Sequence, residues 1–231
     1  MKVKINLKNY FKKINSDLKN KDEAYEEEYK FEMGLVGEYN LYNVLGCVAS
    51  ALSFGIKMND IIKKLETMSA VPGRFETIKN NIEARIVVDF AHTDDGLLNV
   101  GKTLKQITDN QVITIFGAGG DRDHEKRPKM AKAAIQFSDY IILTSDNPRT
   151  ENPINILADI EKGLIDEKYP FDKYLIISDR ERAIKYGIKM LEKDDSLLIA
   201  GKGHETYQII GTEKTHFDDR EIVRKILEEM K

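Results

Sequence analysis

Five short apolar runs, each bounded by turn residues, fix what the chain can become after Arg74: ARIVVDFA, QVITIFGA, YIILTSD, YLIISD and SLLIAGKG. Their cores are continuously apolar rather than alternating, as a strand covered on both faces requires. Amphipathic stretches separate them: DDGLLNVGKTLKQI, KRPKMAKAAIQFS, INILADIEKGLI and DRERAIKYGIKMLEK. Strand, helix, strand in regular succession predicts an α/β fold, a Rossmann-like, mostly parallel sheet with helices on both faces.

Upstream the pattern differs. KVKINL and YKFEMGL alternate like strands, joined by the charged stretch NSDLKNKDEAYEEE. Two strands make a poor independent fold, so they read either as a tag or arm, or as the last strands of a larger sheet. LYNVLGCVASALSFG and MNDIIKKLETM then carry helical spacing, with Asn59 or Asp60 placed to cap the second. Pro72 and Gly73 in SAVPGRFE break it, as a hinge or linker would. The expected division is 1–72 and 73–231.

The 231 residues carry a formal charge of −3, without the basic excess of a nucleic-acid binder. No apolar stretch reaches the roughly 20 residues of a membrane span. The single cysteine, Cys47, has no internal partner, which fits a reducing cytoplasm.

In open parallel sheets, ligands bind beyond the carboxyl ends of the strands. The residues there are Asp89, His92, Asp94 and Asp95, then the glycines of GAGG with Asp121, Arg122 and Asp123. Asp146, Asn147 and Arg149 follow, then Asp179 and Arg180, then Gly201, Lys202, Gly203, His204 and Glu205. Taken singly, such residues are caps, turns and loop histidines. GAGGD is not the dinucleotide pattern G-x-G-x-x-G. Together they put both signs of charge on one rim, which suits a zwitterion: an arginine fork for a carboxylate and an acid for an ammonium.

Eight stretches, LVGEYNLYNVLG, VPGRFE, VVDFAHTDD, FGAGGDRDHEKRP, TSDNPRTENP, SDRERAI, AGKGHE and FDDRE, follow the order and spacing of the Mur ligases. The chain resembles the members that add a diamino acid to UDP-MurNAc-L-Ala-D-Glu in peptidoglycan synthesis. The resemblance implies that Arg149 binds the distal carboxylate of meso-diaminopimelate. In the same DNPR loop Asp146 and Asn147, with Pro148 between Asn147 and Arg149, contact its amino and carboxyl groups. Arg122 takes a carboxylate, and Gly201 and Glu205 the distal head. It also implies that Asn43, Arg74, Asp89 and His92 lie near ATP. AHTDD departs from the family's AHTPD at Asp94. A folylpolyglutamate synthase relative, a stand-alone amino-acid-binding module and a nucleotide-binding Rossmann protein are the other readings.

The family's phosphate loop, G-T-N-G-K-T-T, its Mg²⁺ ligands and its carbamylated lysine have no counterpart here, and GAGGDRD lacks the Lys-Thr such a loop needs. Residues 1–72 thus read as the last part of a central ATPase domain, and 73–231 as the amino-acid-binding domain. No residue is expected to act as a catalyst or metal ligand, and ATP and Mg²⁺ are expected to serve the larger enzyme. The purified chain, given ATP, Mg²⁺, UDP-MurNAc-dipeptide and meso-diaminopimelate, is expected to form no tripeptide. A measurable rate would overturn that.

Overall fold

The computed structural model describes residues 2–6, 28–68 and 71–230. Most of the charged connection expected after the first strand lies outside the described residues. The chain forms two compact units, Met1–Ala70 and Val71–Lys231.

In the first unit β1 (Lys2–Asn6) pairs antiparallel with β2 (Glu28–Glu32), and two helices follow, α1 (Glu38–Ser53) and α2 (Met58–Glu66). Tyr29, Phe31 and Met33 alternate inward, as a strand's period of two dictates. They meet Val44 and Val48 of α1 and Met58, Ile61 and Leu65 of α2, spaced to fall on one helical stripe. The expected cap of α2 is corrected. Lys57 is its N-cap, without a side-chain bond, and Asn59 and Asp60 lie inside the first turn. Asp60 there still favours the positive end of the helix dipole.

The second unit runs β3 (Glu76–Ile78), β4 (Arg85–Asp89), α3 (Asp94–Gln106), β5 (Val112–Phe116), α4 (Lys126–Ile135), β6 (Tyr140–Leu143), α5 (Pro153–Asp166), β7 (Tyr174–Ile176), α6 (Arg180–Met190), β8 (Ser196–Ala200), β9 (Tyr207–Ile210), β10 (Glu213–His216) and α7 (Asp219–Glu229). Six strands form one sheet in the order β3-β4-β8-β5-β6-β7, and only β3 is antiparallel. The five predicted runs are its five parallel strands. Ile86, Val88, Ile113, Ile115, Ile142, Leu197 and Ile199 face α6 and α7, packing on Ile184, Ile188, Val223 and Ile226. The alternate residues Val87, Ile141 and Leu198 are equally buried and point to the face where α3, α4 and α5 pack in series. β3, the β9–β10 hairpin and α7 complete the unit without having been predicted as elements.

Asp179 caps α6 by accepting from the Arg182 N–H. Arg180, read from sequence as a rim residue, is instead fully buried. It donates from Nε and Nη2 to the two Asp219 carboxylate oxygens, 2.8 Å each, and from Nη2 to the Ala200 carbonyl at 3.0 Å. This fork joins the end of β8 to the start of α7. Removing one partner of such a pair strands a charge in the interior. Asp219→Ala should cost about 3–5 kcal/mol in urea denaturation, while the apolar pair Arg180→Met with Asp219→Leu should cost much less.

Candidate functional site

The loops beyond β4, β5, β6 and β8 surround a cavity of about 200 Å³. Arg122, Asp146, Asn147, Arg149, Gly201, Glu205 and His92 all line it. Gly119, one of the GAGG glycines, lines it as well, together with Phe90 and Lys126, which were not singled out from the sequence. Pro148, Arg74 and Asp89 are not in its wall, and Asn43 belongs to the first unit. A hollow of similar size, about 210 Å³, lies at the opposite ends of the strands beside Arg85 and Asp195. There Asp195 is spent on the backbone N–H groups of Gln111 and Glu192.

The DNPR loop is held as if it were a strand. The Arg149 N–H donates to the Ile209 carbonyl at 3.1 Å, and the Arg149 carbonyl accepts from Gly211 at 2.7 Å. The Gln208 side chain donates to the Asp146 carbonyl at 2.7 Å. The hairpin β9–β10 is therefore the loop's brace. Its polar, exposed second strand, EKTH, gives no core periodicity, which is why the sequence reading passed over it. Arg149 has a φ of 52°, in the left-handed region, and its Nη1 donates to the Gly120 carbonyl at 2.7 Å. No described residue accepts from its Nε or Nη2, and none forms an ion pair with Arg122.

Asp146 and Glu205 line the same cavity, and Lys202, which contacts both, is fully buried. The Lys202 Nζ donates to Asn147 Oδ1 at 3.1 Å and to Glu205 Oε2 at 3.4 Å, and lies 3.5 Å from Asp146 Oδ1. That last contact is an ion pair without hydrogen-bond alignment: Asp146 Oδ1 is buried and accepts no hydrogen bond. Gly201, φ 115°, is required at its position, because a Cβ there would sit 2.9 Å from Asp146 Oδ2.

The residues of the expected nucleotide side sit differently. Both Asp89 oxygens accept backbone N–H groups, from Phe75 and Ala91, each at 2.7 Å. Burial pushes the Asp89 carboxyl above its ordinary value, against those two bonds and the charge of Arg74. The exposed Arg74 guanidinium lies 5.0 Å over the Phe90 ring, which also meets His92 and His204. His92 Nδ1 is 2.9 Å from the Phe90 carbonyl. Gly73 turns the chain beneath them at a φ of 66°, where a Cβ would meet the His204 nitrogen at 2.1 Å. Among the described residues no group of three His, Cys, Asp or Glu side chains could hold a metal ion, so no Mg²⁺ site is assigned to them. Among them, too, no helix is long and apolar enough to cross a membrane.

Residues 73–203 match the family model described as Mur ligase, glutamate ligase domain. The UDP-N-acetylmuramoyl-L-alanyl-D-glutamate–2,6-diaminopimelate ligase of Fusobacterium nucleatum is 51% identical over 197 residues, 85% of this chain and 40% of that protein. The enzyme of the same description from Geobacillus kaustophilus is 46% identical over 198 residues, 86% of this chain and 40% of its own. The chain thus spans about 40% of the length of the curated relatives it matches. A solved structure of a ligase so described superimposes with a TM-score of 0.66 at 38% identity, covering 88% of this chain and 41% of that one. Mycobacterium tuberculosis folylpolyglutamate synthase shares the fold alone: TM-score 0.58, 18% identity, 74% of this chain and 40% of that one.

Arg127, fully buried, ties the loop after β5 to the loop after β6. It donates to Glu151 at 2.8 Å, to Asp159 at 3.0 Å and to the Gly119 carbonyl at 3.3 Å. The bond from Arg127 holds the Glu151 carboxyl below its usual range; for Asp159 the bond from Lys162 comes first and that from Arg127 second. A depressed carboxylate stabilises the fold above its unfolded value, near 4.5 and 3.8 for these two, and that stability is lost as pH falls through the folded value. Arg127→Met should therefore cost about 1–3 kcal/mol at neutral pH in urea denaturation and flatten the loss of stability below about pH 4.5.

Proposed function

Because the chain belongs to the Mur ligase family, we propose that its second unit binds the incoming amino acid of an ATP-dependent amide-forming ligase of peptidoglycan precursor synthesis. The amino acid is a diamino dicarboxylic acid, meso-diaminopimelate or an isosteric analogue. It is joined to UDP-MurNAc-L-Ala-D-Glu. The observation that carries this reading is one cavity whose wall brings together Arg122, Arg149, Asp146 and Glu205. Diaminopimelate carries a carboxylate and an ammonium at each end. Arg149 has donors to spare for the distal carboxylate, and Glu205 with Asp146 offers acceptor oxygens to the ammonium beside it. Lysine has no distal carboxylate, so it would leave the Arg149 fork desolvated and unmatched.

In the proposed reaction the side-chain carboxylate of D-Glu takes the γ-phosphoryl group of ATP and ADP departs. The amine of the diamino acid, having lost a proton, attacks the acyl carbon. The new C–N bond forms as the C–O bond to phosphate breaks and inorganic phosphate leaves. This unit contributes orientation: it holds the amine where attack is productive. Residues 1–72 belong, on this reading, to the end of the central ATP-binding domain. Arg74, exposed on the Phe90 ring, is the side chain best free to meet a phosphate. Asp89, with both oxygens bound to backbone, anchors the turn at Phe75 beneath it.

Calorimetry on the chain and on Arg149→Ala, with meso-diaminopimelate, lanthionine and lysine, tests the reading. Loss of a charge-assisted bond should weaken the first two ligands by about 10- to 100-fold and leave lysine almost unchanged. Equal losses for all three would reject the role of Arg149. Tight binding that is indifferent to ATP would favour a stand-alone amino-acid-binding module.

A further inference from the structure

We infer that Lys202 is the positioning residue of the amino-acid site, acting through Asn147 and Glu205 rather than on the ligand. The inference rests on the amino-acid reading above and deepens it. Lys202 has three ammonium protons and three oxygen neighbours, Asn147 Oδ1, Glu205 Oε2 and Asp146 Oδ1, at 3.1, 3.4 and 3.5 Å. The rings of Tyr207 and Phe217 lie 5.7 and 6.0 Å from its Nζ, so the charge is enclosed by π faces on its remaining sides. A cation so enclosed, on a side chain with no exposed surface, has no room for a ligand of its own.

What it does instead is set the orientation of an amide. Asn147 Oδ1 accepts from Lys202 Nζ and from the Ile209 N–H at 3.0 Å. With two donors aimed at one end, that end must be the oxygen. The other end, Nδ2, then donates to Glu205 Oε2 at 3.0 Å. Glu205 Oε2 thus receives both Asn147 and Lys202, which fixes the carboxylate plane. No described residue donates to Oε1, and Glu205 is in the cavity wall. The free carboxylate oxygen is the acceptor presented to an incoming ammonium.

Around Lys202 itself the nearest charged partners are the two carboxylates Asp146 and Glu205. Without Lys202 those two carboxylates would lose their shared cation, and the Asn147 amide could turn either end to Glu205.

The test has two arms. In the first, meso-diaminopimelate binding is measured by calorimetry for the chain, for Lys202→Met, for Asn147→Ala and for the double variant. Lys202→Met should bind at least about tenfold more weakly, and the double variant should be no weaker than the worse single one, since residues acting in one network do not add. Additive losses, or unchanged binding in Lys202→Met, would overturn the inference. The second arm needs no ligand and no variant. In ¹⁵N-labelled wild-type chain, the Asn147 side-chain amide should show two well-separated protons, one protected from exchange, and the Lys202 ammonium should be visible near neutral pH. A freely exchanging Asn147 amide would reject the arrangement, even where Lys202→Met fails to fold. Should wild-type chain bind none of the three amino acids while the amide is protected, the functional reading fails and the positioning geometry stands.

Discussion

Three buried cations hold the loops on which the site is built. Arg127 joins the loop after β5 to the loop after β6, through the Gly119 carbonyl, Glu151 and Asp159. Arg180 joins the end of β8 to α7. Lys202 joins the loop after β8 to the DNPR loop. A buried charge is costly unless its hydrogen bonds are met, and a well-packed apolar substitute is often as stable. What the charges supply that methyl groups would not is direction: each cation donates to acceptors fixed on the neighbouring loops, which defines how one loop seats against the next.

That seating explains why the cavity combines both signs of charge without collapsing on itself. Arg149 leans on the Gly120 carbonyl and Glu205 on Asn147 and Lys202. The groups left with capacity are the Arg149 guanidinium and a Glu205 carboxylate oxygen, both in the wall of the cavity. A ligand bearing the opposite pair meets partners already in place, so little ordering is required on binding.

The five parallel strands were legible because burial on both faces demands uninterrupted apolar runs, and VITIF and SLLIA supply them. The site residues of the DNPR and GKGHE loops were legible as a rim because parallel strands all end on one side. Other features were not. The three-residue β3 is too short to show a period. Arg180 looked like a rim residue because its partner, Asp219, is 39 positions away and nothing local announces the pairing. Asn59 and Asp60 have the right side chains for a cap, but α2 starts one residue earlier, at Met58. Lys126 and Phe90 enter the cavity wall through the placing of loops, which spacing along the chain does not encode.

The backbone at Arg149 carries a last consequence. Its left-handed conformation costs an ordinary side chain roughly 1–2 kcal/mol and is far harsher on branched ones. Drift at this codon is therefore filtered before any ligand is met. Valine, isoleucine and threonine are strongly disfavoured there by their branched Cβ atoms, whereas glycine, asparagine and aspartate are accommodated. The repertoire open to this position is a short alphabet, narrowed by the peptide torsion before any ligand contact acts on it.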